Sequence, residues 1–250
     1  ISSNILINMI MYRNLKKNIL ILGASSDIGL RIVEYFLSKD WFVYAHYNNN
    51  LKSLKDLKYS KKNLKLLKLN FNNQKQINKF CKFLSTKNVS SCVNLVGYLD
   101  NKSFKNSNSE SLIKSLKINT LIPLFIQRAL IPRMIKNKFG RFLNISSIGV
   151  KYGGSEFTFN YSFSKHALEY IPSHFKNLTK KNIFINTLRI GVVNTKLLKS
   201  VRGKNIKKRV KLIPIGRMAE PKEMSRIIYD LASEKNTYIT GEKITIAGGE

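Results

Sequence analysis

Tyr161 and Lys165 lie four residues apart at the start of a stretch with helical periodicity. On a helix this spacing places both side chains on one face, so they can contact the same ligand. An unperturbed tyrosine, with a pKa of about 10, is a poor acid–base group at neutral pH, but a neighbouring ammonium favours its phenolate. Lys165 supplies such an ammonium, so the pair is a candidate for proton transfer.

A serine pair ends the predicted strand at 141–147, just before this helix. Ser147 is the candidate to hydrogen-bond a substrate carbonyl and to stabilise charge that develops on its oxygen. Ser146 is the alternative, because the loop between the serines and Tyr161 leaves the register open. A serine pair at a strand end is also often only a turn cap, so the assignment depends on the other residues around it.

A glycine-rich turn follows the first apolar run, in the sequence ILILGASSDIGL at 19–30. Such a turn between strand and helix directs free backbone N–H groups and a helix N-terminus towards a pyrophosphate. Gly23 would make the tight turn and Gly29 would let the helix pack closely. Asp27 is unexpected beside an anionic ligand. We expect its carboxylate to cap the N–H groups that begin its own helix and to tune ligand binding without abolishing it.

The elements that must position these residues alternate along the chain. Short β-rich runs at 18–23, 41–47, 64–70, 89–97, 141–147 and 183–190, with a last strand near the end, are separated by amphipathic helical stretches. The alternation predicts an α/β fold: one Rossmann-type, doubly wound parallel sheet of about seven strands with helices on both faces. Residues 1–17 are predicted to be an N-terminal extension and 18–250 a single dinucleotide-binding catalytic domain.

Composition restricts the classes of function. The two cysteines, Cys81 and Cys92, have no CxxC spacing and no histidine cluster, which predicts no metal site and a reducing, cytoplasmic location. No apolar run approaches the roughly 20 residues of a membrane span. The formal net charge is +30. Because the lysines are scattered and form no basic stripe interleaved with aromatics, we expect no specific nucleic-acid partner.

Several ordered motifs resemble those of the short-chain dehydrogenase/reductase family, from about Asn18 to the end. They are the glycine-rich turn, VNLVG at 93–97, INT at 118–120, NISS at 144–147, the YxxxK of Tyr161 and Lys165, IPIGRMAEPKEM at 213–224 and YITGEKITIAGG at 238–249. The layout is similar to 3-oxoacyl-[acyl-carrier-protein] reductases. The resemblance implies an NAD(P)-dependent oxidoreductase, a homo-oligomer, in which Lys165 also holds the nicotinamide ribose and Asn119 orders a water in a proton relay.

The resemblance also implies a set of residues that contact the dinucleotide. They are Gly23, Ser25, Ser26, Asp27, Ile28, Gly29, Tyr47, Asn48, Asn70, Asn94, Gly97, Tyr161, Lys165, Gly191, Val193 and Thr195. The second strand ends in 46–50 without the acid that would bind the ribose of NAD and repel the phosphate of NADP. NADP is therefore the predicted cofactor, and NAD is the alternative.

Departures from the family pattern affect rigidity and binding more than chemistry. Asp27 replaces a glycine, Leu95-Val96 an Asn-Ala pair and Ile190 a proline, while Asn70 stands where an aspartate often contacts adenine. Pro172 should kink or end the helix that begins at Tyr161. None of these changes removes a catalytic group.

The substrate is the feature of the predicted function that the sequence determines least. The first hypothesis is a small-molecule or carrier-linked carbonyl, for instance 3-oxoacyl, with Arg133 and Lys176 meeting an acidic carrier protein. The cationic SVRGKNIKKRV at 200–210 favours a phosphorylated, nucleotide-linked or carrier-linked substrate. The alternatives are a reductase for a sugar or nucleotide-linked substrate of surface-polysaccharide synthesis, and a non-catalytic dinucleotide sensor or scaffold.

Overall fold

A computed structural model describes residues 17–57, 61–203 and 205–250, in which seven parallel strands form one sheet in the order β3-β2-β1-β4-β5-β6-β7. The strands are β1 Asn18–Leu22, β2 Phe42–Tyr47, β3 Leu64–Lys68, β4 Ser91–Asn94, β5 Gly140–Ser147, β6 Ile183–Ile190 and β7 Lys243–Ile246. The predicted doubly wound parallel sheet is confirmed. The predicted extension at 1–17 lies outside the described residues apart from Lys17.

Helices cover both faces of the sheet. They are α1 Asp27–Leu37, α2 Lys52–Lys55, α3 Gln74–Ser85, α4 Ser109–Leu116, α5 Ile122–Asn137, α6 Phe159–Leu168, α7 Lys176–Thr179, α8 Lys196–Lys199, α9 Ile206–Val210 and α10 Pro221–Ala232. Short 3-10 turns occur at Lys61–Asn63, Ile148–Val150, Glu156–Thr158 and Ser173–Phe175. A π-helical turn, Lys117–Leu121, joins α4 to α5. Helix α6 ends before Pro172, as expected.

Two apolar layers enclose the sheet. On one side α1 and α10 bury residues such as Phe36 and Ile228, with the ring of Trp41 set edge-on to Phe36. On the other side α3 and α5 bury residues such as Phe80 and Ile126. Strands buried on both faces are almost continuously apolar, which explains why runs such as ILIL appear at the centre of the sheet.

The strand order reverses between β1 and β4, which are neighbours although they are not consecutive. A crevice forms at the carboxyl ends of strands where the order reverses, and ligands bind there in open α/β sheets. Gly23, after β1, and Leu95, after β4, approach so closely there that a Cβ on Gly23 would lie 3.3 Å from the Leu95 carbonyl. The fold therefore brings the glycine-rich turn and the end of β4 to one place.

Candidate active site

A cavity of about 930 Å³ lies at the carboxyl ends of the strands. The turn after β1 and the segments after β4, β5 and β6 form its walls, and α6 contributes Tyr161 and Lys165. Of the sequence-predicted site residues, the lining includes Ser25, Ser26, Asp27, Ile28, Gly97, Ser147, Tyr161, Lys165, Gly191, Val193 and Thr195. The candidate acid–base residues and most of the candidate dinucleotide residues therefore share one cavity.

Tyr161 lies on the first turn of α6 and its hydroxyl is hydrogen-bonded to Ser147. Burial raises the pKa of Tyr161 to about 12, and the bond to Ser147 only partly opposes this. The expectation that a neighbouring ammonium brings the Tyr161 pKa closer to neutrality is therefore wrong for this structure, because removal from water dominates. The raised pKa favours the neutral phenol, which is the form that can donate a proton to a developing alkoxide.

Lys165 is one helical turn after Tyr161, and its Nζ lies 5.8 Å from the centroid of the tyrosine ring. Only 2% of Lys165 is exposed, and Nζ donates to the carbonyl oxygens of Val96 and Ile145, at 2.8 and 2.7 Å. Burial lowers the pKa of Lys165 to about 7. The side chain is thus held at the floor of the cavity by the ends of β4 and β5, close to its charge transition at neutral pH.

The structure distinguishes the two serines at the end of β5. The Ser147 hydroxyl contacts Tyr161 and accepts from the backbone N–H of Gly149, at 3.1 Å. The Ser146 hydroxyl instead donates to the buried carboxylate of Glu169, at 2.7 Å, and Glu169 also binds Arg189. Ser147 is therefore placed beside the tyrosine, and Ser146 belongs to a buried ion-pair network.

Asn119 lies in the π-helical turn and is fully buried. Its Oδ1 accepts from the backbone N–H of Tyr98, at 2.6 Å, and its Nδ2 donates to the Tyr98 carbonyl and the Ser164 hydroxyl. A π turn inside a helix is frequent at functional sites. Here the side-chain amide joins three segments: the π turn, the loop after β4, and α6. In a proton relay, the main chain of Asn119 would therefore have to make any contact with solvent.

Ser26 is the N-cap of α1, and its hydroxyl accepts from the Gly29 N–H, at 3.1 Å. Gly23 adopts φ +79°, and a Cβ on Gly29 would lie 2.4 Å from the Gly23 carbonyl oxygen. Both positions therefore require glycine, one for the turn and the other for the close approach of the helix. This geometry supports the predicted roles of the two glycines and leaves Ser25 and Ser26 on the cavity wall.

The expectation that Asp27 caps its own helix is wrong, because Ser26 already does so. The Asp27 carboxylate crosses the cavity and accepts from the backbone N–H of Lys196, the first residue of α8, at 2.6 Å. Thr195 caps α8 by accepting from Leu198 N–H, at 3.2 Å. Asp27 thus joins the wall formed by the glycine-rich turn to the wall that follows β6.

Other predicted dinucleotide residues do not line the cavity. Asn94 is buried beneath it and binds Val96 N–H and Asn144. The Asn70 side-chain oxygen accepts from Asn72 N–H within its own loop. Tyr47 and Asn48 lie at the end of β2, and it is Asn50, further along, that reaches the cavity wall. These predicted residues therefore lie around the cavity and do not form its wall.

Sequence reasoning missed the apolar side chains that fill much of the wall after β4, β5 and β6. They include Leu99, Ile148, Leu198, Val201, Leu212 and Pro214. It also missed an ion pair between Arg209 and Glu250, both of which line the cavity, with Nη2 and Oε1 2.5 Å apart. These residues lie on loops and short helices far apart in the chain, so no local pattern marks them.

Among the described cations of the segment at 200–210, only Arg209 lines the cavity. Lys207 and Lys208 are exposed, and Arg209, which does line the cavity, is neutralised by Glu250. Arg133 binds the Ser85 carbonyl and Asn88, and Lys176 begins α7 ahead of β6. Arg133 and Lys176 therefore lie near the amino ends of the strands, opposite the cavity. Their positions do not support docking of a carrier protein at the mouth of the cavity.

Comparison with known proteins identifies the family. A family model described as enoyl-(acyl carrier protein) reductase matches residues 23–250. The chain belongs to the short-chain dehydrogenase/reductase family. It is thus an NAD(P)-dependent oxidoreductase of this family. The 3-oxoacyl-[acyl-carrier-protein] reductase FabG of Buchnera aphidicola subsp. Schizaphis graminum is 28% identical over 240 residues, which cover 94% of this chain and 88% of the relative.

Solved structures show the same family fold. ElxO with NADP bound superposes with a TM-score of 0.80 at 24% identity, over 94% of this chain and 98% of that one. A 3-oxoacyl (acyl-carrier-protein) reductase from Agrobacterium tumefaciens with NADP bound gives a TM-score of 0.82 at 22% identity, over 96% of each chain. In the described ranges, no helix is long and apolar enough to cross a bilayer, and no three His, Cys, Asp or Glu side chains form a candidate metal site.

Proposed function

We propose that this short-chain dehydrogenase/reductase reduces the carbonyl of a predominantly apolar substrate, such as a 3-oxoacyl thioester, with NADPH. The observation that carries the proposal is the partly buried Tyr161, whose raised pKa favours the neutral phenol, bonded to Ser147 beside the side chain of Lys165 in one cavity. Hydride is supplied by the bound NADPH. The Ser147 hydroxyl stabilises the carbonyl oxygen as charge develops, and Tyr161 donates its proton to that oxygen.

Lys165 is proposed to hold the nicotinamide ribose and to return a proton to Tyr161. Because its pKa is about 7, it exchanges a proton readily at neutral pH. Asn119, which secures the π turn and the loop after β4, is proposed to support the water relay through its main chain. These roles follow those of the family, and the contacts around each residue are compatible with them.

NADPH is preferred to NADH in this proposal because the end of β2 lacks an acid. Positions 46–50 carry His, Tyr and three Asn residues, so nothing there repels a 2′-phosphate. The NADP-bound structural neighbours are consistent with this choice. Titration of the protein with each cofactor tests it: we expect tighter binding of NADPH, and at least tenfold tighter binding of NADH would refute the choice.

An acyl substrate fits the walls better than a sugar nucleotide does. The segments after β4, β5 and β6 present mainly apolar side chains. Of the cations on these walls, Arg209 is paired with Glu250, and Lys151 and Lys196 are exposed. The relatives named 3-oxoacyl-[acyl-carrier-protein] reductase agree with this preference.

The decisive experiment measures NADPH oxidation with acetoacetyl-CoA, acetoacetyl-carrier protein and a panel of sugar nucleotides. Tyr161→Phe should reduce turnover by about 100-fold or more with cofactor binding retained, since general acids contribute about that much. Tyr170→Phe, on an exposed ring just beyond α6, is the matched control and should behave as wild type. Equal activity of Tyr161→Phe and wild type would refute the proton donor, and turnover of sugar nucleotides alone would refute the acyl substrate.

A homo-oligomer is also proposed. Phe104, Ile113 and Phe163 are 76%, 61% and 48% exposed, and Phe159 packs between the two phenylalanine rings. Association of two copies through this apolar face would remove it from water. Light scattering should give a mass of two or more chains, and Phe163→Glu should lower it. We further propose a cytoplasmic location, since Cys81 and Cys92 are both free thiols.

A further inference from the structure

His46 is a buried residue near the end of β2, and both of its ring nitrogens have backbone partners. The Gly23 N–H lies 3.1 Å from Nδ1, and Nε2 lies 3.1 Å from the Leu69 carbonyl oxygen. Because an amide N–H can only donate, Nδ1 must be the unprotonated nitrogen, and Nε2–H must donate to Leu69. The ring is therefore neutral, and its two contacts fix the tautomer.

The ring connects three segments at the carboxyl ends of β1, β2 and β3. It belongs to β2, it binds the glycine-rich turn after β1 through Gly23, and it binds the segment after β3 through Leu69. It also stacks on Phe71, with ring centroids 4.8 Å apart and planes 9° apart. The His46 carbonyl accepts from Ala24 N–H at 2.9 Å, so the same residue holds the turn twice.

The hydrogen bond from Gly23 to His46 holds the residue whose displacement would have the largest effect on the glycine-rich turn. Gly23 has a left-handed backbone, with φ +79°, and begins the segment that leads into Ser25, Ser26 and α1. Its N–H points inward to His46, so it is not available to a ligand and serves only to orient the turn. An aliphatic or phenyl side chain at position 46 would leave this N–H without an acceptor.

We propose that His46 is a positioning residue for the dinucleotide: it holds the glycine-rich turn and the segment at 69–71 in the relative placement that cofactor binding requires. The residue does not line the cavity and takes no part in proton or hydride transfer. This inference rests on the proposed binding of NADPH. Its effect on the reaction is confined to cofactor affinity, which separates it from the roles of Tyr161, Ser147 and Lys165.

Two substitutions separate the acceptor from the ring. His46→Phe keeps a flat ring against Phe71 and has no acceptor for Gly23 N–H, whereas His46→Asn places an amide oxygen near the position of Nδ1 and loses the ring. In the 250-residue protein, titrated with NADPH and followed by nucleotide fluorescence, we expect His46→Phe to raise Kd by about tenfold, equivalent to about 1.4 kcal/mol. His46→Asn should stay within about threefold of wild type, because it restores the hydrogen bond.

Turnover distinguishes a positioning role from a general loss of structure. At saturating NADPH, both variants should keep kcat within about twofold of wild type while KM for NADPH follows Kd, since only ground-state binding is altered. Tyr44→Phe is the matched control, because Tyr44 lies two residues earlier on β2 and is likewise buried. It should leave Kd unchanged. Thermal unfolding of each variant verifies that the folded protein is compared.

Each outcome is decisive. A His46→Phe protein that binds NADPH as wild type does, or one that loses kcat with Kd unchanged, would overturn the inference. If His46→Phe does not fold, His46→Gln replaces it. The glutamine amide reaches the side of the ring position that faces Leu69. A Kd for NADPH equal to that of His46→Asn would then show that the hydrogen bond to Gly23 is irrelevant. Wild-type protein that binds neither NADPH nor NADH would instead refute the proposed function.

Discussion

Asp27 offers the most informative perturbation, because its carboxylate has two separable effects. It adds a negative charge to the first turn of α1, and it accepts a hydrogen bond of 2.6 Å from Lys196 N–H across the cavity. The charge opposes an anionic cofactor by an amount typical of helix termini, about 0.3–1 kcal/mol. The partly exposed bond contributes about 1 kcal/mol to holding the segment after β6 in place, after allowance for solvent.

Asp27→Gly removes both effects, and Asp27→Asn removes the charge while retaining an oxygen that can accept from Lys196. We therefore expect both variants to bind NADPH about two- to fivefold more tightly. Only Asp27→Gly should raise KM for the carbonyl substrate, by about fivefold, because only it frees α8. Its melting temperature should fall by about 2–4 °C, the shift that about 1 kcal/mol causes in a protein of this size.

The assays are fluorescence titration with NADPH, steady-state kinetics at saturating NADPH and thermal unfolding. Glu34→Gln is the matched control: it removes one negative charge from the same helix, where Glu34 pairs with Arg31 away from the cavity. It should leave NADPH affinity unchanged. Weaker NADPH binding by both Asp27 variants would refute the electrostatic reasoning. NADPH binding that appears only in Asp27→Gly would show that the wild-type turn is disabled, and would favour the sensor or scaffold alternative.

Three further predictions follow from the site. Ser147→Ala should lower kcat by about 100- to 1000-fold with unchanged NADPH affinity, while Ser146→Ala should affect only thermal stability, since its hydroxyl binds Glu169. In pH profiles, kcat/KM should fall as pH rises through the Lys165 pKa of about 7, where the ammonium loses its charge, and Lys165→Met should lack this limb. Burial lowers the pKa of His46 to about 4, so the stability that its neutral ring provides is complete above about pH 6.5 and declines as pH falls towards 4. Urea unfolding should show a loss of about 2 kcal/mol between pH 7 and pH 4.5 that His46→Phe lacks.

The fold was predictable because its determinants are local. Apolar runs bounded by turn residues predict strands, amphipathic stretches predict helices, and their alternation leads to a parallel sheet. The errors lie at strand ends beside the cavity. Strand β4 was predicted at 89–97 and spans Ser91–Asn94, because Asn94 binds Val96 N–H and turns the following residues out of the sheet. The same departure presents the Val96 carbonyl to Lys165.

The site was predictable where it depends on spacing within one element. Tyr161 and Lys165 share a face of α6 because they are one helical turn apart. Gly23 and Gly29 flank the same strand-to-helix loop. Contacts between distant segments could not be derived in this way. The bond from Lys196 to Asp27 joins residues 169 positions apart, and the assignment of Ser147 over Ser146 depends on the contacts each hydroxyl makes across the fold. Both require the tertiary structure.

The net charge of +30 illustrates the same limit for substrate recognition. Composition gives the number of cations but not where their side chains point. From composition alone, the segment at 200–210 therefore suggests an anionic substrate. In the fold, Lys207 and Lys208 are exposed, while Val201 lines the cavity and Arg209 is paired with Glu250. Burying an unpaired charge costs more than burying a paired one. Arg209, the partly buried cation of this segment that lines the cavity, accordingly has a carboxylate beside it. The chemistry of the cavity therefore follows from its mainly apolar lining, and the excess charge belongs to the outer surface.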